Sequence, residues 1–190
     1  MLLSSFNSGY RQITCNFPIR NLSDMKGAKI RVVPSDLYQQ LFTAFGAAAT
    51  PMAFSEVPTA LITNVIDGQE NPYSVIVSSA LYEVQKYCME TNHLPTNHGL
   101  WMNRNTYESL TPEQQEAVLK AAYDASAYMD KYILDKVEEY KKICEDNGME
   151  IIDAENGLDI DGFKAAAENV YDYFAEDWGD MPDLIRAVQP

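Results

Sequence analysis

The sequence has 190 residues, of which 46% are hydrophobic and 22% charged, and a formal net charge of −14. That composition argues against disorder, and the length allows one full domain or one domain plus part of a second. The acidic balance argues against nucleic acid and anionic membrane surfaces as partners, though a small anion needs only one or two well-placed cations.

No apolar run approaches the ~20 residues that cross a bilayer. The opening MLLSSFNSGYRQ lacks the positive start and long apolar stretch of an export signal. Cys15, Cys88 and Cys144 lie far apart, so no CxxC metal or redox motif exists and at most one disulfide could form. Three buried free thiols is the preferred reading.

In chain order, Asp24-Met25-Lys26-Gly27 reads as a turn and Lys29–Val33 (KIRVV) as a strand. A helix follows over Asp36–Phe45, on Leu37, Leu41, Phe42 and Phe45, closed by Gly46. Thr50–Ala53 reads as extended, and Ser55 as the cap of a helix over Glu56–Ile66 built on Leu61, Ile62 and Val65. This alternation predicts parallel strands joined by right-handed crossovers. Tyr87–Glu90 and Gly99–Met102 are further strand candidates.

Thr111-Pro112-Glu113-Gln114 is a capping box with proline at the first helical position. Val118, Ala122, Ala125, Met129, Ile133, Val137, Tyr140 and Cys144 then recur in steps of three or four. Glu116/Lys120 and Glu138/Lys142 are the expected (i, i+4) pairs, and Asn147-Gly148 ends the helix. At ~1.5 Å per residue it would run ~50 Å, beyond one small domain. Such a helix spans two lobes or joins a coiled coil, and the lack of regular heptad leucines favours the first. Met149–Ile152 reads as a short strand, Asp161–Asp177 as an amphipathic helix and Pro182–Val188 as a last short helix.

No GxSxG, HExxH, P-loop or GxGxxG motif is present, so an enzyme is not expected. His93 and His98 sit five apart, a poor metal spacing on helix or strand. Asp67 and Glu70 flank Gly68 and read as turn residues rather than paired catalytic carboxylates. Arg31 is the better candidate. It lies at the end of the KIRVV strand, where Val33-Pro34-Ser35 leads into a helix, and ligands of open α/β sheets bind beyond the carboxyl ends of strands. Its guanidinium is a fork for a carboxylate. Pro34 and Ser35 at the same junction join it as candidate ligand contacts. Asp67-Gly68-Gln69-Glu70-Asn71-Pro72 is read as a tight turn rich in amide and carboxyl groups.

The succession GYRQ, PIRNLSDMKGAKIRVVPS, FGAAATPMAFSEV, VIDGQENP and YEVQKYCMETNH resembles the solute-binding proteins of tripartite ATP-independent periplasmic (TRAP) transporters, of the DctP type. The similarity runs from about Ser8 to the C-terminus and is densest between Pro18 and His93. It implies a periplasmic-binding-protein-like α/β fold: two lobes that close on a small carboxylate, crossed by long helices. It also implies periplasmic or extracytoplasmic placement, no cofactor, and the membrane subunits of a TRAP transporter as partners. Arg31 matches the family's principal carboxylate-binding arginine, Arg11 of GYRQ a second arginine lining the cleft, Asn71 of QENP an asparagine that hydrogen-bonds the acid, and Phe54 of MAFSEV an aromatic contact. Pro58 and Ile62 depart from the family's usual tyrosine and glutamine.

The resemblance further implies that the family's N-terminal half is absent. Residues 1–103 are then mainly the second lobe, a parallel or mixed sheet with flanking helices, and residues 104–190 the lobe-spanning helix and the C-terminal helices that would pack on the first lobe. The competing reading is a fragment that does not bind and self-associates through the face so exposed, as a homo-oligomer.

Overall fold

The computed structural model describes residues 1–188. The elements run β1 (Leu2–Cys15), α1 (Leu22–Met25), β2 (Lys29–Val32), α2 (Asp36–Ala44), β3 (Ala48–Pro51), α3 (Val57–Ile62), β4 (Gly68–Pro72), α4 (Tyr73–Ser78), β5 (Tyr87–Met89) and β6 (Pro95–Trp101). The remainder is α5 (Arg104–Glu108), α6 (Pro112–Asp146), β7 (Glu150–Ile152), α7 (Ile160–Tyr173), α8 (Ala175–Trp178) and α9 (Met181–Ala187).

The strands form one mixed sheet in the order β3-β2-β4-β1-β5-β7, with β6 added along β1. β2 is parallel to β3 and β4, and β5 to β7, as the crossovers predict. β1 is antiparallel to β4, β5 and β6. This 14-residue strand, for which the sequence carried no strand signal, is the spine of the sheet. Its first part pairs with β6 and its last part with β4 and β5. The register shifts between Asn7 and Tyr10, where Gly9 takes φ +96°.

Alternation sends successive side chains to two cores. Met89 and Ile152 join Ile13, Ile30, Phe42 and Phe45 under α2 and α7. Cys88 and Ile151 join Val57, Leu61, Tyr73 and Ile76 under α3, α4 and the end of α6. Phe163 of α7 packs edge-on against Phe45, which caps the C-terminus of α2, with centroids 5.0 Å apart.

The capping box forms as its residues dictate: Thr111 and Gln114 bond each other's backbone N–H. α6 runs 35 residues to Asp146, and Gly148 takes φ +89° just beyond it. Its inner face packs on β1, α4 and β7. Ala125 is exposed and Ser126 is buried in its place. The surface lysines choose other partners than expected: Lys120 pairs with Asp124 and Lys142 with Asp146, which keeps the (i, i+4) step but runs it toward the C-terminus.

Other elements shift. β3 begins two residues before the expected Thr50. A 3₁₀ turn over Phe54–Glu56 replaces the Ser55 cap, and α3 stops at Ile62 because Asn64 takes φ +58°. Of the apolar trio assigned to this helix only Leu61 is buried, while Ile62 and Val65 face solvent. The strand candidate at Gly99–Met102 is the tail of β6. The helix over Asp161–Asp177 breaks at Phe174 into α7 and α8.

The largest correction concerns Asp67–Pro72. Gly68–Pro72 is not a turn but β4, a fully buried strand between β2 and β1. Gly68 is required by close approach, since a Cβ there would lie 2.2 Å from the Thr14 carbonyl. Asp67 precedes the strand and accepts the Lys29 backbone N–H at 2.8 Å.

The three cysteines are free and buried. Burial pushes the Cys15 and Cys144 thiols from their ordinary 9.0 up to about 11, and raises Cys88 further. A raised acid stabilises the fold fully below its unfolded value and progressively less as pH climbs to its folded one. Urea-unfolding stability should therefore fall between about pH 9 and 11 under reducing conditions. The loss should shrink in Cys15→Ala; an identical alkaline slope in the variant would remove the thiol from the explanation.

Candidate functional site

The carboxyl ends of β2 and β3, the N-terminus of α2 and the far end of β4 meet around two buried arginines. Arg31, third residue of β2, is 3% exposed. Its Nε and Nη2 donate to the Met52 carbonyl at 2.9 and 2.8 Å, which fixes one edge of the fork. The Phe54 ring lies 5.7 Å from its Cζ. It forms no ion pair among the described residues. Burial pulls its pKa below the ordinary arginine value, the Glu70 charge offsets part of that, and Arg11 adds to the lowering. It remains a cation held at a desolvation cost.

Arg11 stands in β1 and is 5% exposed. Its Nε and Nη2 engage the two carboxylate oxygens of Glu70, and Nη2 also donates to the Glu70 carbonyl at 2.8 Å and to Asn71 Oδ1 at 3.0 Å. The Tyr38 ring of α2 lies 5.3 Å from its Cζ. Burial raises the Tyr38 phenol, with Arg11, Glu70 and Arg31 all acting on it. Asn71 donates Nδ2 to Gln69 Oε1, Gln69 Nε2 donates to Thr14 Oγ1 at 2.8 Å, and Thr14 Oγ1 donates to Gln85 Oε1 at 3.0 Å. His93 Nε2 sits 3.4 Å from Glu70 Oε2, with Nδ1 2.8 Å from Thr91 Oγ1.

The structure thus brings Arg11 and Asn71 into one hydrogen-bonded group and sets Phe54 beside Arg31. Pro34 is exposed and Ser35 half-buried at the β2–α2 junction. Ser35 occupies the N-cap position but makes no side-chain cap bond. Three participants escaped the sequence reading. Glu70 reads from the sequence as a turn residue, His93 only as a poor metal candidate, and nothing in the sequence singles out Tyr38. The two histidines have separate settings: His93 beside Glu70, and exposed His98 in β6 near the Phe6 ring. Electrostatically Glu70 neutralises Arg11, whereas Arg31 has no carboxylate partner among the described residues.

The family profile described as bacterial extracellular solute-binding protein, family 7 (DctP), matches residues 1–177. The chain belongs to this family. Among DctP relatives, the 2,3-diketo-L-gulonate-binding periplasmic protein of Escherichia coli K12 is 33% identical over 98% of this chain and 57% of its own length. A TRAP periplasmic solute-binding protein of Xanthobacter autotrophicus Py2, with bound β-D-galacturonate, superposes at TM-score 0.91 with 34% identity, over 100% of this chain and 63% of that one. Another, of Chromohalobacter salexigens with bound D-glucuronate, gives TM-score 0.91 and 33% identity over 100% of this chain and 62% of that one. The fold is therefore that of the TRAP solute-binding proteins. The chain spans about half the length of the curated relatives it matches.

Proposed function

We propose that this chain supplies one side of an extracytoplasmic site that captures a small organic acid and delivers it to the membrane subunits of a TRAP transporter. The observation that carries the reading is Arg31: a buried guanidinium, one edge fixed by Met52, with no carboxylate partner among the described residues. A desolvated, pre-oriented fork gains most from an anion, because the cost of burying the cation is already met by the fold. Asn71 and Arg11 form the polar flank, Phe54 the apolar wall, and Pro34 and Ser35 the mouth beside α2. The relatives' bound sugar acids support a carboxylate as the recognised group. In this reading residues 1–103 form the gripping lobe, and residues 104–190 carry α6 and the helices that join it to a second lobe.

An isolated side makes only part of the contacts, and each charge-assisted hydrogen bond contributes roughly 1.5–3 kcal/mol. The 190-residue chain should therefore bind D-galacturonate, D-glucuronate or succinate no tighter than about millimolar by calorimetry. Micromolar affinity for any of them would contradict the one-sided reading. The second reading, self-association, draws on the exposed apolar groups along the β1–β6 ribbon and α6: Leu2, Trp101, Tyr123, Tyr128 and Leu134 are 48–74% exposed. A concentration-dependent dimer by light scattering would support it, and a monomer throughout would dismiss it.

A further inference from the structure

A cavity of about 390 Å³ lies between α6, the irregular middle of β1 and the β4–α4 junction. Strand alternation separates it from the arginines: Gln12 lines the cavity, whereas its neighbour Arg11 turns to Glu70. Its chemistry is also the opposite of theirs. Tyr10, Tyr73 and Tyr140 line it together with Ile133 and Val137, and Asp130 is the one charged residue in the lining. Asp130 Oδ1 accepts the Asn7 backbone N–H at 2.7 Å. That bond holds the carboxylate across the groove without neutralising it. No cation pairs with Asp130 among the described residues, and the lysines beside it are engaged elsewhere: Lys131 with Asp135 and Lys136 with Glu139.

Three aromatic rings, three aliphatic side chains (Ile133, Leu134 and Val137), uncharged polar groups and one exposed carboxylate without a cationic partner make a lining that suits an organic ammonium ion. The rings and the carboxylate attract its charge, and the aliphatic wall covers its substituents. We infer that this cavity is a binding site for a small organic ammonium ion, separate from the acid site and of opposite charge preference. It goes beyond the proposed function, and its test does not depend on any acid binding.

The test uses benzyltrimethylammonium as the cationic probe, with benzyl alcohol and benzoate as neutral and anionic controls, titrated into the methyl-labelled 190-residue chain. The ammonium should shift the Ile133 and Val137 methyl resonances saturably, and both controls should bind more weakly. Asp130→Asn keeps an oxygen for the Asn7 N–H and should weaken the ammonium about fivefold while leaving benzyl alcohol unchanged. Val137→Trp, which fills the cavity, should abolish the shifts at Ile133; if that variant is poorly folded, Tyr140→Leu should weaken the ammonium about threefold instead. Equal binding of all three probes, an unaltered affinity in Asp130→Asn, or unmoved Ile133 and Val137 methyls would each overturn the assignment.

Discussion

Replacing Glu70 with leucine should destabilise the chain by about 3–5 kcal/mol, because it leaves the buried Arg11 guanidinium without its counter-charge. The Glu70 side chain is fully buried and that of Arg11 is 7% exposed, so water cannot take over the lost interactions. The same substitution removes the acceptor facing His93 Nε2. Arg11→Met alone should cost a comparable amount, since it leaves the carboxylate buried instead. The double variant should recover much of the loss, because an apolar pair of similar volume avoids both desolvation costs. A urea-unfolding double-mutant cycle reads the coupling directly. Losses that simply add would mean that the pair does not act as a unit.

Arg31 should behave in the opposite way. Arg31→Met should change stability by less than about 2 kcal/mol in either direction, because the relief of a desolvated, unpaired cation offsets the orphaned Met52 carbonyl. Acid binding should fall on the order of 10²–10³-fold, from the loss of two charge-assisted hydrogen bonds. Arg31→Lys keeps the charge but not the fork and should recover little. Titrating galacturonate to about 100 mM at constant ionic strength, followed by NMR at the Asn71 side-chain amide, should give a curved shift for the parent chain and none for Arg31→Met. An unaltered affinity in Arg31→Met would remove this residue from the site and the carboxylate reading with it. A large stability loss would instead show that Arg31 is paired in solution.

The contrast between these arginines explains what the sequence could reveal. Arg31 was legible because a β-rich run, a proline and a helical pattern placed it at a strand end, and the motif spacing resembled that of a known family. α6 was legible because its start and stop are local: Thr111 and Gln114 cap each other, and Gly148 supplies a left-handed residue after the end. Glu70 was not legible. Hydrophobic patterning sees burial only where apolar side chains cause it, and Gln69, Glu70 and Asn71 are buried by hydrogen bonding to residues 55–60 positions away. β1 was hidden for a related reason. Its mixed pattern belongs to a strand whose register slips around Gly9 and whose partner changes after Tyr10, so no single alternation runs its length. The lysine pairs on α6 failed more simply: each lysine had an acid four residues away on both sides, and spacing alone does not choose between them.

The polar row that ends at Asn71 has a direction. Asn71 gives a hydrogen to Gln69, Gln69 to Thr14, Thr14 to Gln85, and Gln85 to the backbone carbonyl of Asp67. A carbonyl cannot reverse its role, so the whole series is read one way from its anchored end. Asn71 must then spend its amide NH2 inward and turn its oxygen to Arg11. The orientation of Asn71 is thus held from both ends, by the Asp67 carbonyl just before β4 and by the donor-only Arg11 guanidinium. Arg11, which can only donate, fixes the other end, so a change at Gln85 would orphan the Thr14 hydroxyl without turning Asn71 around.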